Sequence, residues 1–457
     1  MTVLDSFFDT ESLKISKNLT RLTRILVYPN ITWAKDLEQD SYIQVIRKMI
    51  SHLNELRSDL WFYMLLPERV TSLAKFSNVT QWKYTLPTYP NQMRCHFDTI
   101  KLLDILDQKY EFDLVFSHLP EHTLQLVNLM SNLTHFHNVP VIGYCHWFEI
   151  EEVTKYSKNV FPLNIHGILE MKKCYLNTNA QKVLVLNEAR QWLSDNKIVS
   201  LEDIMEPLYL GMDSSDVRKT PILDTEKIIV FNHRPQTYKG FSYFMDMMDE
   251  LWKQRQDFKV WIPLLEKSNR EFVYTTLYEG QHYYNHLARC RVGVCMSQEH
   301  AGWSISATDG LQNGTPFIFQ CEAYYKELWN EADDFISRKE GVEILNKYLD
   351  EPKYRNKKGE EAIKYCNDHL LYQYSIKKLN DQIISTLKET SMVSEDTEGY
   401  KKILKYIELS GYASKENIMD MLGWGRNFNW SPYRARLKQS KHIQESYSEI
   451  PIYHYVY

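Results

Sequence analysis

The chain has 457 residues, room for about three domains, and its 44% hydrophobic and 25% charged residues place it among globular proteins able to bury a core. Lys and Arg number 54 against 59 Asp and Glu, a formal net charge of −5, which excludes a protein that coats nucleic acid uniformly and leaves room for a local basic face. No 18-residue apolar run is present and the N-terminal MTVLDSFFDTESLKIS has no apolar signal core, so no membrane partner and a cytoplasmic location are expected.

Taken in chain order, short apolar runs alternate with longer amphipathic stretches, the pattern of βα units on parallel sheets. Strands are expected at Arg24–Tyr28, Leu60–Leu65, Asp113–Phe116, Val139–Tyr144 and Lys182–Leu186, with a helix from Glu121 to Leu133. After the polar stretch Gly211–Thr225 the pattern restarts, with strands at Lys227–Phe231, Phe258–Ile262, Val292–Met296 and Pro316–Gln320. Helical patterns at Gly240–Gln254, Tyr283–Cys290 and Ile305–Asn313 separate them, and a long helical region covers about Glu360 to Leu387. The charged segment Lys388–Glu398 reads as a linker to a final module of about 60 residues. The seven cysteines are scattered, with no zinc-site spacing, and read as reduced thiols. The reading is therefore α/β, with two Rossmann-like domains facing a cleft (1–215 and 216–392) and a small all-α module (398–457).

Two loops carry the chemistry. The strand KIIVF runs into Asn232-His233-Arg234-Pro235-Gln236-Thr237-Tyr238-Lys239-Gly240, followed by a helix. Arg234 supplies a planar fork and Lys239 a point charge, a pairing suited to a diphosphate; a pair of solvated loop cations has the same pattern. The strand VGVCM is followed by Ser297-Gln298-Glu299-His300-Ala301-Gly302-Trp303-Ser304 and a helix through Asp309 to Gly314-Thr315-Pro316. Small residues at Gly302 and Ser304 leave backbone N–H groups at a helix start open to phosphate oxygens. An ordinary strand–helix turn with a glycine cap would share half of these features.

These two loops resemble those of GT-B glycosyltransferases, in particular the retaining family-4 type. Arg234 and Lys239 are similar to that family's R…KG diphosphate loop, and SQEHAGWSISATDGLQNGTPFIF is similar to its donor motif, E-G-F-G-x-x-x-x-E-A-x-A-x-G-x-P. Gly302, Trp303 and Ser304 fall on G-F-G, Asp309 on the second Glu, and Gly314 and Pro316 on G-x-P. The first Glu is Ala301 here, with Glu299 and His300 just upstream as substitutes. The resemblance implies that Asp309 holds the nucleotide ribose and that His146, in Cys145-His146-Trp147-Phe148-Glu149, approaches the donor sugar. The family's N-terminal Gly-Gly loop is absent from YPNITWAKDLEQD. The resemblance spans roughly residues 20 to 390 and implies a UDP-sugar substrate with retention of configuration. No acid pair sits where a metal would be needed, so the reaction is expected to need no metal and no cofactor.

The last module reads as three short helices: one around Ile403, Leu404 and Ile407, one over SKENIMDMLG, and one beginning at Pro432 after Ser431. The third would carry Arg434, Arg436, Lys438 and Lys441, and from Glu398 onward nine Lys/Arg face six Asp/Glu, a net of +3. This resembles a helix-turn-helix contacting double-stranded DNA, though a helical cap with solvated charges has the same composition. Together with the GT-B motifs it is similar to bacteriophage enzymes that glycosylate 5-hydroxymethylcytosine in DNA, with glucose or a pentose such as arabinose as the sugar and an infected host cell as the setting. Two alternatives remain open: a GT-B transferase acting on a polysaccharide, lipid-linked or small-molecule acceptor, and a non-catalytic DNA-binding protein that senses a nucleotide sugar.

Overall fold

The computed structural model describes residues 22–30, 41–67, 70–84, 99–106, 111–133, 139–148, 150, 157–298, 302–395, 397–410, 412–422, 443–446 and 452–455. The first α/β unit comprises β1 (Thr23–Tyr28), α1 (Ser41–Leu56), β2 (Leu60–Pro67), β3 (Val79–Tyr84), α2 (Thr99–Leu106), β4 (Leu114–Ser117), α3 (Pro120–Ser131), β5 (Val141–Cys145), α4 (Ser157–Leu169), β6 (Lys173–Leu176), α5 (Asn179–Ala189), α6 (Asp195–Ile204) and β7 (Met205–Pro207). All seven strands pair in parallel, in the order β3-β2-β1-β4-β5-β6-β7. The strands are almost wholly buried because helices cover both faces, which is why they read as continuous apolar runs. Helix α1 shows the complementary rule: Tyr42, Ile46, Met49, Ile50 and Leu53 recur at helical spacing and all are buried against the sheet.

The second unit comprises β8 (Glu226–Val230), α7 (Phe241–Gln254), β9 (Lys259–Trp261), β10 (Val273–Tyr274), α8 (Gly280–Arg289), β11 (Cys290–Cys295), α9 (Ile305–Gln312), β12 (Phe317–Gln320), α10 (Ala323–Leu328), β13 (Asp334–Phe335), α11 (Arg338–Asp350) and α12 (Pro352–His369). Its parallel sheet runs β10-β9-β8-β11-β12-β13. The two units are Rossmann-like domains. Two crossovers join them: Met212 N–H donates to Leu370 C=O (2.9 Å) and Tyr372 N–H to Met212 C=O (3.0 Å). The long helix α13 (Tyr372–Glu395) then returns to the first unit, burying Tyr372, Ile376, Leu379 and Ile383 in the same cluster as α1.

The structure corrects three expectations, the first being the linker at Lys388–Glu398: Lys388–Glu395 is the last part of α13, and Thr397 and Glu398 already belong to the next helix. Lys182–Leu186 is not a strand but the middle of α5. Thr178 caps that helix by accepting from Gln181 N–H (3.1 Å); Val185 and Leu186 face the core, while Val183 and Leu184 are exposed. A five-residue apolar run does not separate strand from helix, and the cap decided it. The strand of that βα unit is β6, KCYL, and β3 and β7 are further strands without a continuous apolar run.

The C-terminal module is not all-α. Helices α14 (Thr397–Ser410) and α15 (Lys415–Leu422) flank β14 (Tyr412–Ser414), and β15 (Ile443–Ser446) and β16 (Ile452–Tyr455) complete an antiparallel sheet in the order β14-β16-β15. Ile443, expected at the end of the third helix, instead pairs with Tyr455. The pairing of IQES with IYHY takes the place of the helical extension. The third helix, with Arg434, Arg436, Lys438 and Lys441, lies outside the described residues.

Candidate nucleotide-sugar site between the domains

In an open parallel sheet, ligands bind beyond the carboxyl ends of the strands where the strand order reverses. In the second domain that point lies between β8 and β11. The loops leaving those two strands are the ones carrying Arg234, Lys239 and the Ser297–Ser304 segment, so the fold brings together residues some 60 positions apart in sequence.

A tight approach holds the first loop. After a short 3-10 turn, Thr237–Lys239, the chain passes Gly240 at φ 66°, the left-handed region, and enters α7. A Cβ at Gly240 would stand 2.4 Å from Met296 Cβ, so only glycine lets this loop lie on the end of β11. Lys239 Nζ consequently donates to Gln298 Oε1 at 2.5 Å. Gln298 is fixed in turn: its Nε2 donates to Tyr325 O–H and its backbone N–H to Tyr324 O–H, both at 3.0 Å. Burial, with the Arg234 charge nearby, depresses the Lys239 ammonium to about 8; the Cys295 thiol partly opposes this. Arg234 itself is exposed at the mouth of the loop. Behind both, His233 Nε2 lies 2.9 Å from Cys295 Sγ, and burial, with a smaller contribution from Lys239, lowers its imidazole to about 3, so it is neutral.

The second loop ends in α9. Ser304 caps it by accepting from Ala307 N–H (3.2 Å), satisfying one of the first-turn amides that lack an intrahelical partner. Gly302 lies against the first domain, where a Cβ would come within 2.7 Å of Gln181 Oε1. The Trp303 ring is only 8% exposed and stacks on Tyr209 at 5.5 Å. Asp309 is half-buried on α9 and accepts from Tyr283 O–H at 3.3 Å. Asn232 Nδ2 donates to Tyr283 Oη and to Ser306 C=O, both at 2.8 Å. Burial raises the Asp309 carboxyl to about 7, the Tyr283 hydrogen bond opposes this, and Asp216 adds to it. Glu299, His300 and Ala301 lie outside the described residues.

The first domain contributes the facing wall. His146 leaves β5, its ring half-buried and stacked on Tyr42 at 5.2 Å. Its carbonyl accepts from Asn177 Nδ2 (2.8 Å) and Gln181 Nε2 (3.3 Å), so the same Gln181 that touches Gly302 holds the His146 loop. One turn away the Glu327 carboxylate of α10 accepts from the Asn179 and Ala180 N–H groups at the start of α5 (2.7 and 2.6 Å) and from Tyr209 O–H (3.1 Å). A second-domain acid thus caps a first-domain helix, where its charge meets the positive end of the dipole. Gln298, Asn232, Tyr283, Gln181 and Glu327 were not singled out from the sequence. Gln181 and Glu327 act across the domain boundary, and their partners are set only by tertiary packing. Among the described residues, no group of three His, Cys, Asp or Glu side chains is placed to hold a metal ion.

No protein-family profile matches the chain, and no curated protein is similar to it in sequence at a significant level. Solved structures are similar in shape. Sucrose-phosphate synthase from Thermosynechococcus elongatus superimposes with a TM-score of 0.63 at 10% identity, over 81% of this chain and 100% of that one. Anabaena HepE in complex with UDP-glucose gives 0.56 at 10% identity, over 81% and 100%. An α,α-trehalose-phosphate synthase (UDP-forming) from Burkholderia vietnamiensis gives 0.55 at 10% identity, over 80% and 98%. The chain therefore has the GT-B fold.

Proposed function

We propose that the protein is a glycosyltransferase that uses a UDP-sugar. The observation that carries this reading is the convergence of Lys239 with Arg234 and the open start of α9 at the switch point of the second domain. Breaking a sugar–diphosphate bond leaves negative charge on the departing diphosphate and positive charge on the sugar. Lys239, Arg234 and the α9 amides stand where they stabilise the leaving group, the dominant form of help in such a reaction. Desolvation strengthens the interaction of Lys239, and Gln298 holds that side chain in place without neutralising it. In this reading those cations take the role a metal would otherwise have. Asp309 receives the ribose hydroxyls, Gly302 and Ser304 line the diphosphate, and His146 approaches the sugar from the first domain. Glu299, His300 and Ala301 complete the sugar contacts, and transfer retains the anomeric configuration. The neighbours HepE, crystallised with UDP-glucose, and the UDP-forming trehalose-phosphate synthase support the choice of uridine nucleotide.

For the acceptor we propose 5-hydroxymethylcytosine in duplex DNA, receiving glucose or a pentose such as arabinose. The support lies in the C-terminal module: two helices, a three-stranded antiparallel sheet β14-β16-β15 and a net charge of +3 in an otherwise acidic chain. A helix is one of the elements that a major groove admits, and the hydroxymethyl group projects into that groove. Arg434, Arg436, Lys438 and Lys441 would contact phosphates, with the target base flipped toward the cleft. The test is transfer from radiolabelled UDP-glucose and UDP-arabinose into hydroxymethylated or unmodified duplex DNA. Label in hydroxymethylated DNA alone is expected. Label in neither DNA but rapid UDP release with a soluble sugar would move the acceptor to a small molecule, and UDP binding without turnover would favour a sensor.

A further inference from the structure

The first domain has its own switch point, between β1 and β4, where its strand order reverses. The residues leaving those strands form a cluster of buried polar rings. His118 immediately follows β4, and its N–H donates to Tyr28 C=O (2.8 Å), extending the β1–β4 ladder by one step. The imidazole is 1% exposed, and neither Nδ1 nor Nε2 has a hydrogen-bond partner among the described residues. Phe116 packs on it at 4.2 Å, and Tyr42 meets it edge-on at 5.0 Å. Tyr42 also stacks on His146, so the ring that covers His118 belongs to the wall of the proposed sugar site. On the far side of the ladder Tyr28 Oη lies 2.9 Å from His122 Nδ1.

A buried imidazole with both nitrogens unpaired is costly, and an apolar ring of the same shape would avoid the cost. Its position beyond the carboxyl end of a central strand, one aromatic ring from His146, suits a ligand that supplies the missing hydrogen bond. The named side chains include no lysine or arginine, and burial keeps the His118 imidazole neutral, lowered to about 3 with a smaller contribution from His146. An anionic group would find no counter-charge among them. This is the opposite of the β8–β11 end, where cations gather.

We propose that the β1–β4 switch point is an acceptor subsite in which His118 hydrogen-bonds an uncharged hydroxyl, carried by a neutral sugar ring or a hydroxymethylated base, once Tyr42 turns aside. The inference rests on the glycosyltransferase reading and adds to it the chemical class of the acceptor. Calorimetric titrations of the full chain, with and without UDP, test it with three probes: 5-hydroxymethyl-2′-deoxycytidine, methyl glucoside and glucose 6-phosphate. One neutral probe is expected to bind at least tenfold more tightly than glucose 6-phosphate, and which one it is separates a base from a sugar. His118→Phe keeps the ring packing and removes both nitrogens. It should weaken that probe at least tenfold, leave UDP affinity within twofold, and melt at or above the wild-type temperature, while His118→Gln should restore part of the binding. Unchanged probe affinity in His118→Phe, no binding of either neutral probe, or preference for glucose 6-phosphate would each overturn the subsite. A chain that fails to bind UDP overturns the donor assignment instead, and the UDP-free titrations still judge His118.

Discussion

The two Rossmann-like domains reverse strand order at corresponding places, between β1 and β4 in one and between β8 and β11 in the other, and the chain equips those places with different chemistry. At the second, an exposed arginine and a half-buried lysine converge with the start of a helix, and a carboxyl held near neutrality stands one turn along. At the first, buried rings gather around an imidazole kept neutral. The same topology thus carries two cations at one set of strand ends and buried neutral rings at the other. The difference shows that a fold supplies the position of a site, while a few side chains at strand ends decide its ligand.

The contrast is broken most directly at the cationic end. Arg234→Ala and Lys239→Ala are each expected to lower UDP-sugar turnover by about 10²–10³, the scale for losing one preorganised charge-stabilising donor. Arg234 is exposed, so its loss should leave the melting temperature nearly unchanged; wild-type turnover in either variant would refute the assignment.

A smaller and more specific effect comes from pH. Nucleotide affinity should need Asp309 ionised to accept ribose hydroxyls and Lys239 protonated. It should therefore rise through about pH 7 and fall above about pH 8, by roughly tenfold per unit on each outer limb. UDP titrations from pH 5.5 to 9.5 would show this bell, and Asp309→Asn should flatten its acid side. The stability effect runs the other way. The folded-state pKa of Asp309 lies above its ordinary 3.8, so the ligand-free fold favours the protonated form. The group's contribution to stability is complete below about pH 4, declines as pH rises to 7, and is absent above. Asp309→Asn should accordingly raise the melting temperature at pH 8, by no more than about 4 kcal/mol in free energy.

The seam between the domains gives the next effect. Gly302→Ala drives a methyl into Gln181 and should cost about 1–3 kcal/mol, the usual range for overpacking. Gln181→Ala should rescue much of it in the double variant, and thermal melts of the four proteins measure that coupling. The smallest change is expected from Glu327→Gln, which retains a hydrogen-bond acceptor at the start of α5 and removes its charge. It should cost about 1 kcal/mol, read as a salt-sensitive fall in melting temperature.

Sequence by itself determined the alternation of strands and helices on two parallel sheets and the position of the two loops after β8 and β11. Apolar runs and glycines are local signals of strand and turn, and Arg234, Lys239 and Asp309 stand out by type and spacing. Tertiary structure alone decided the rest. The run Lys182–Leu186 became a helix because Thr178 caps it and its apolar residues divide between core and solvent. IYHY became a strand by pairing with residues 6 to 12 positions earlier on one side and 38 to 42 on the other. His118 reads as one polar residue after an apolar run until β1, α1 and β5 close around it, and Gln181 meets Gly302 only when the domains face each other. Periodicity reports what lies along one element. Burial, pKa and cross-domain contact depend on what lies on the other side of it, which no local pattern carries.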